Sequence, residues 1–201
     1  ANIQLELSAR EKHSSRQENA LLDKATELYR AVLLQEPNNV FAANGLGVVC
    51  AKKGRFAEAR SIFTSVRDAS VEGADMALAN LGQLHALQRE PLAAVGLYQK
   101  AQRRAKGAPP ASLLALEARA HFDAGSLPEA RRVLSRALRQ RPTDLTTVYN
   151  LCVVLHRGAK PARNETGPRP LPTVQRAQAD VSLAAQLLRS IEEAAEPHRV
   201  A

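Results

Sequence analysis

The feature that most limits what this chain can become is that it repeats itself at intervals of about 35 residues. Gly45 to Cys50 (GLGVVC) lines up with Asn80 to His85 (NLGQLH), which places Gly47 and Gly82 35 residues apart. Downstream, Phe56 to Arg60 (FAEAR) recurs as Pro91 to Val95 (PLAAV) and again as Leu127 to Arg131 (LPEAR). Ala59, Ala94 and Ala130 therefore follow one another at 35 and then 36 residues. A unit of that length is one supersecondary motif. It is too small to bury its own apolar face and becomes stable by stacking on copies of itself.

Each recurring residue has a mechanical reason. Gly47, Gly82 and Ala118 are expected where the two helices of a hairpin cross, because a larger side chain would push the axes apart. Ala59, Ala94, Ala130 and Ala184 are the reciprocal small residues, and enlarging one should overpack the crossing by roughly 1–3 kcal/mol. Phe63, Tyr98, Leu134 and Leu188 come four residues later on the same helical face and are expected to fill the space between repeats. Gly54 and Gly125 end the first helix of their hairpins, where a left-handed residue is needed. Pro37 and Pro142 end the second helix, and Asn38-Asn39 and Thr143-Asp144 start the next.

This is the pattern of the tetratricopeptide repeat, with an extra residue or two in the turns. The predicted fold is all-α, a right-handed superhelical solenoid of tetratricopeptide-type helical hairpins, forming a single array over residues 1–201. Residues 1–16 read as a helical remnant and charged connector, and 17–37 as a partial repeat contributing a second helix. Complete repeats are predicted at 40–73, 75–108 and 111–144. A last repeat, 145–195, is interrupted by a mobile, basic, proline-rich loop at 158–172. That loop holds Pro161, Pro168, Pro170 and Pro172, which neither helix nor strand accommodates.

Composition narrows the function. Hydrophobic residues make up 45% of the chain, which excludes a disordered sequence, while aromatics are only 3% and Trp is absent. No apolar run approaches the ~18 residues of a membrane span, so no membrane partner is expected. The opening Ala1 to Glu6 has neither a basic segment nor an apolar one, so no signal peptide is expected, and the missing Met fits an excerpt of a longer protein. Cys50 and Cys152 lie far apart without metal-ligand spacing, which fits a reduced, intracellular setting. On that reading the sequon Asn164-Glu165-Thr166 carries no glycan. A net charge of +8 points to acidic partners or to nucleic acid without choosing between them.

Nothing assembles into catalytic machinery, so the chain is not read as an enzyme. His85 and His121 fall at equivalent repeat positions; His13, His156 and His198 have no zinc spacing to any other histidine. There is no glycine-rich phosphate loop. Cys50 and Cys152 sit at helix-packing positions, where a neutral thiol is a small hydrophobe and a poor nucleophile. Glu58 and Glu129 fall in the first turn of a helix, where they complement its dipole. No cofactor and no metal are expected.

Longer runs carry a family resemblance. Phe41 to Val49 (FAANGLGVV) followed by Lys53 to Arg60 (KGRFAEAR) resembles the tetratricopeptide scaffold subunit of the polymerase-associated factor complex, which travels with RNA polymerase II during elongation. The resemblance continues through Phe63 to Ala69, Ala118 to Ala120 and Tyr149 to Arg157. It implies an internal stretch of a longer nuclear scaffold that gathers the other subunits of that complex on the RNA polymerase II machinery. It also implies support of co-transcriptional histone modification, including H2B ubiquitination and H3 methylation. Glu117 departs from the repeat, which usually has a leucine there, and makes that hairpin's packing a point to check.

By repeat position, the first helices should line a partner-binding groove. Phe41, Asn44, Val48, Ala51 and Lys52 come first, then Met76, Ala79, Gln83 and Leu87. Ala115, Arg119, Phe122 and Asp123 follow, and last Tyr149, Val153 and Arg157. Some of these are expected to pack on neighbouring helices instead, Phe41 and Tyr149 foremost. The mixed surface suits an extended or helical partner segment. A basic surface is expected from Lys100, Arg103 and Arg104 and from Arg131, Arg132, Arg136, Arg139 and Arg141, with Arg157, Lys160, Arg163 and Arg169 making the loop basic too. Such a run is usually a solvated face, and an acidic protein surface is its functional counterpart. The alternative, a basic nucleic-acid-binding module, is less favoured because no aromatics interleave with the charge. A co-chaperone-type peptide adaptor is a further alternative. Asn80 fits the middle of its carboxylate clamp, but Asn44, Val48, Ser112 and Leu116 stand where the other clamp residues, cations among them, belong.

Overall fold

The computed structural model describes residues 2–69, 73–105, 107–159, 175, 178–183 and 185–189, with side chains from residue 16 onward. Helices α1 (Asn2–Gln35), α2 (Val40–Lys52), α3 (Phe56–Ala69), α4 (Ala74–Leu87), α5 (Pro91–Arg104), α6 (Ala111–Asp123), α7 (Leu127–Gln140) and α8 (Leu145–Ala159) follow one another. There is no strand among the described residues. The architecture is therefore all-α and built of antiparallel hairpins, as the repeat requires. Two compact units form, one of Ala1–Gln88 with Lys100–Arg104 and the other of Arg89–Gln99 with Ala105–Ala201.

In the first unit α1 packs on α2, α2 on α3, and α3 on α4, with α4 also reaching α2. The crossing expected at Gly47 is present, and its cause is aromatic. A Cβ on Gly47 would come within 2.5 Å of the Phe63 ring, and Phe63 itself is fully buried. Gly45, not singled out by the repeat, serves α1 in the same way, because the Tyr29 ring occupies the space of its missing side chain. Ala59 and Val66 of α3 and Leu78, Leu81 and Leu84 of α4 complete the buried face. The first helix differs from expectation. Instead of a connector before residue 17, α1 is continuous from Asn2, since no glycine or proline interrupts residues 2–35. Lys53 ties it to the end of α2 through Asp23 at 2.6 Å and the Thr26 hydroxyl at 3.2 Å.

The second unit packs α6 on α7 and α7 on α8 around Leu114, Ala118, Ala130, Leu134, Leu151 and Leu155. Residues 178–183 and 185–189 are helical and bring Leu183 and Leu187 onto this core. Leu188, expected inside, is 42% exposed, because it is turned about 100° around the helix from Leu187. Ala184 lies outside the residues whose side chains are described. The break expected at Gly158 comes later, since Gly158 and Ala159 still belong to α8. Most of the predicted loop, with its sequon, falls outside the described residues. Glu117 does face inward, 4% exposed, and its carboxylate accepts from Gln99 Nε2 at 3.0 Å. An inward leucine is thus replaced by a hydrogen-bonded acid.

Local signals set the helix ends. Asn39 caps α2, its side-chain oxygen accepting from Ala42 N at 2.9 Å. At the start of α8 the Thr147 hydroxyl donates to the Asp144 carboxylate. Gly54 and Gly125 adopt φ of 75° and 77° in the turns between helices. The equivalent turn after α4 holds Arg89, at φ 65°, a conformation costly for a residue with a Cβ.

Three substitutions measure these effects by urea denaturation. Gly47→Ala should lose about 1–2 kcal/mol, because overpacking a fully buried ring exceeds the ~1 kcal/mol alanine gains over glycine in a helix. Gly96→Ala in α5, where a Cβ meets nothing within 4 Å, should instead gain up to ~1 kcal/mol. In the turn, Arg89→Gly should stabilise by about 0.5–1 kcal/mol, since relief of the left-handed penalty outweighs the entropy of an added glycine.

Candidate functional site

On the first unit, helical periodicity gathers Phe41, Val48 and Lys52 on one face of α2 and Met76, Gln83 and Leu87 on one face of α4. Phe41 is 58% and Leu87 63% exposed, Met76 stands at the margin, and Lys52 and Gln83 are in solvent. Val48, Ala51 and Ala79 are half-buried between them. Asn44 is the exception. It is 6% exposed, and its side-chain oxygen accepts from Asn80 Nδ2 at 2.8 Å. The sequence placed Asn44 on the groove surface; the structure spends its carboxamide in joining α2 to α4 beneath it. The same bond takes up one of the two amide N–H groups that Asn80 would offer a partner's carboxylate.

On the second unit the expected residues lie on α6 and α8. Tyr149 is 59% and Val153 37% exposed, and Arg119, Asp123 and Arg157 are in solvent. Phe122 is half-buried against the core. The inward packing expected of Phe41 and Tyr149 is thus not found; Asn44 and Phe122 turn inward instead. Arg119 Nε contacts both Asp123 oxygens at 2.9 and 3.0 Å, so this cation is matched within its own helix. Between the two helices opens a cleft of about 200 Å³ lined by Ala115, Ala118, Arg119 and Phe122 of α6, Leu134 of α7, and Asn150, Val153 and Val154 of α8. Sequence reasoning missed Asn150 and also Leu145, 50% exposed. Leu145 could have been found, since Leu145, Tyr149, Val153 and Arg157 recur every fourth residue.

The basic residues divide by helix. Lys100, Arg103 and Arg104 are exposed at the end of α5. Helix α7 buries Ala130, Val133, Leu134 and Ala137 on one side and carries exposed Arg132, Arg136 and Arg139 on the other. Arg131 belongs elsewhere than on an open basic surface: its Nη1 meets Asp180 at 2.5 Å and fastens the later helical residues to α7.

The reactive side chains are arranged for packing. Burial pushes both the Cys50 and Cys152 thiols up, and the Glu58 carboxylate pushes Cys50 further. Burial also raises the Tyr98 phenol to about 12. His121 is buried 3.7 Å from Glu117 Oε1, and neither ring nitrogen has a hydrogen-bond partner among the described residues. Among those residues no three His, Cys, Asp or Glu side chains gather as a metal site, and no helix is long and apolar enough to cross a membrane. A raised thiol pKa means less thiolate at pH 8. Iodoacetamide should therefore modify both cysteines at least about ten-fold more slowly in the native chain than in urea, read by mass spectrometry.

Residues 14–70 and 111–161 match the tetratricopeptide repeat family. Over 153 residues, 74% of this chain, the sequence is 31% identical to Protein CTR9 homolog of Arabidopsis thaliana, and this covers 14% of that protein. It is 30% identical over 143 residues, 71% of the chain, to RNA polymerase-associated protein CTR9 of Caenorhabditis elegans, covering 12% of its length. The chain therefore spans about one-seventh or less of these relatives. In fold it is similar to the crystal structure of MamA, with TM-score 0.64 and 16% identity over 91% of this chain and 90% of that one.

Proposed function

Since the chain belongs to the tetratricopeptide repeat family, we propose that it is a protein-interaction scaffold segment of a CTR9-type subunit in a transcription elongation complex. Its partners are the other subunits of the polymerase-associated factor complex and, through them, the RNA polymerase II machinery. It works in the nucleus, without catalysis or cofactor, by holding partners in place for co-transcriptional histone modification. Identity of about 30% to Protein CTR9 homolog and to RNA polymerase-associated protein CTR9, each over more than 70% of the chain, is the observation that carries this reading.

The surface chemistry supports it. Phe41, Leu87 and Tyr149 are each more than half exposed, on faces that also carry Lys52, Gln83, Arg119 and Arg157. Apolar anchors ringed by polar groups are what a partner segment needs, because burial of the anchors drives association and the rim sets its register. The thiols, with pKa values raised by burial, are poor nucleophiles, which agrees with a binding role.

The test is retention of partners from nuclear extract by the 201-residue chain and by a variant carrying Lys52→Glu, Arg119→Glu and Tyr149→Ala. The expected result is enrichment of polymerase-associated factor subunits by the chain, reduced at least about ten-fold in the variant. Bulk RNA retained with a steep salt dependence, in place of those subunits, would sink the scaffold reading in favour of a nucleic-acid module.

A further inference from the structure

We propose that the outer face of α7 is a docking surface for an acidic helix of a partner protein, one whose carboxylates repeat at the spacing of Arg132, Arg136 and Arg139. This rests on the scaffold reading and gives the chemistry of one partner segment and the helix it meets.

Burial of Ala130, Val133, Leu134 and Ala137 explains why the charge of α7 lies on its outer side. It does not explain why that charge has one sign. Three other arginines of the chain each meet a carboxylate within four residues: Arg55 with Glu58 at 3.1 Å, Arg67 with Asp68 at 2.8 Å and Arg119 with Asp123 at 2.9 Å. Helix α7 instead holds four arginines and one carboxylate, Glu129. Arg131 is taken by Asp180, and exposed Arg132, Arg136 and Arg139 follow at steps of four and then three residues. Like charges at those steps are neighbours and repel, at a small cost to the helix. Even with Glu129 set against Arg132, three residues on, the face stays positive. An anionic partner relieves the repulsion as well as being attracted by it.

Spacing selects the form of that partner. Helical geometry sets the three arginines within a sector of about 60° and over about 10 Å of axis, at rises of roughly 6 and 4.5 Å. Glutamates four and three residues apart on a second helix have the same rises. Same-side groups of an extended segment lie about 6.6 Å apart and fall out of step by the third. Each guanidinium fork can take both oxygens of a carboxylate, which fixes register as well as sign. Nucleic acid suits the face less well. Helix α7 has no aromatic residue on which a base could stack. Three cations also neutralise too few phosphates to hold nucleic acid against physiological salt.

The test measures binding of labelled helical peptides to the full 201-residue chain by fluorescence anisotropy at about 0.15 M salt. One peptide has glutamates four and three residues apart on one face, one has glutamines there, and one scatters the same glutamates around the helix. The striped peptide should bind saturably, the scattered one several-fold more weakly, and the glutamine one not at all. Arg132→Glu with Arg139→Glu should weaken striped binding at least about ten-fold. A lysine-striped peptide should bind that variant and not the parent, which also shows the variant to be folded. Arg132→Gln with Arg139→Gln, which reverses no charge, should weaken binding several-fold. Lys100→Glu with Arg103→Glu, at exposed basic positions of α5, should change it less than about two-fold. Equal binding of striped and scattered peptides, an equal loss on the α5 substitutions, or tighter binding of oligouridine RNA that the α7 pair abolishes would overturn the acidic-helix surface. Subunits retained from nuclear extract by a chain that fails to bind the striped peptide would remove the surface and leave the scaffold. Peptide binding without subunit retention would count against the scaffold reading and leave the surface standing.

Discussion

An aromatic ring seated over a glycine sets the geometry on which the first unit depends. Phe63 occupies the space where Gly47 would carry a Cβ, and Tyr29 does the same over Gly45. Two glycines one helical position-pair apart thus receive a ring from the following helix and a ring from the preceding one. Close approach lets α2 be buried on two sides at once, and Ala42, Val49 and Cys50 are sealed as a result. In the second unit alanine takes the glycine's part. Ala118 and Ala130 are both nearly fully buried, with Leu134 beside them. Close-packed interiors transmit a misfit rather than absorb it, so the identity of these small residues matters more than their low hydrophobicity indicates.

That closeness also decides what is left outside. The faces of α2 and α4 that no neighbouring helix covers are left to solvent, and the large apolar groups Phe41 and Leu87 remain exposed there. Single exposed apolar residues are ordinary on protein surfaces. Here they recur at helical spacing together with charged neighbours, which is why we propose these faces as binding surfaces. The arginines of α7 have a simpler origin: the inward side of that helix is wholly apolar, so its charges can occupy only the outer side.

Polar groups inside the hairpins are handled by pairing. Asn44 and Asn80 satisfy one another across α2 and α4, and Glu117 is held by Gln99. A buried amide or acid without a partner is costly, so such pairs also fix which residues must meet. His121 stands beside Glu117 without a hydrogen bond to either ring nitrogen among the described residues, the one buried imidazole in this polar array.

The sequence by itself determined the helical hairpins, their period and their turns, because these rest on local rules. Gly47, Ala59 and Ala130 mark close approach, Gly54 and Gly125 the left-handed turns, and Asn39 and Asp144 the helix starts. It also carried the tetratricopeptide repeat family, through the recurrence of Gly45 to Cys50 and of Phe56 to Arg60. Tertiary structure alone decided which residues of the expected groove face outward. Asn44 was drawn in by an asparagine 36 residues away, while Tyr149 stayed out. It decided that Leu187 rather than Leu188 meets the core, and that Arg131 serves Asp180. It alone revealed the cleft between α6 and α8 and the pairing of Asp123 with Arg119 beside it. Periodicity assigns a residue to a helical face. Whether that face is covered, and by what, depends on the distance and rotation of another helix, which no local pattern encodes.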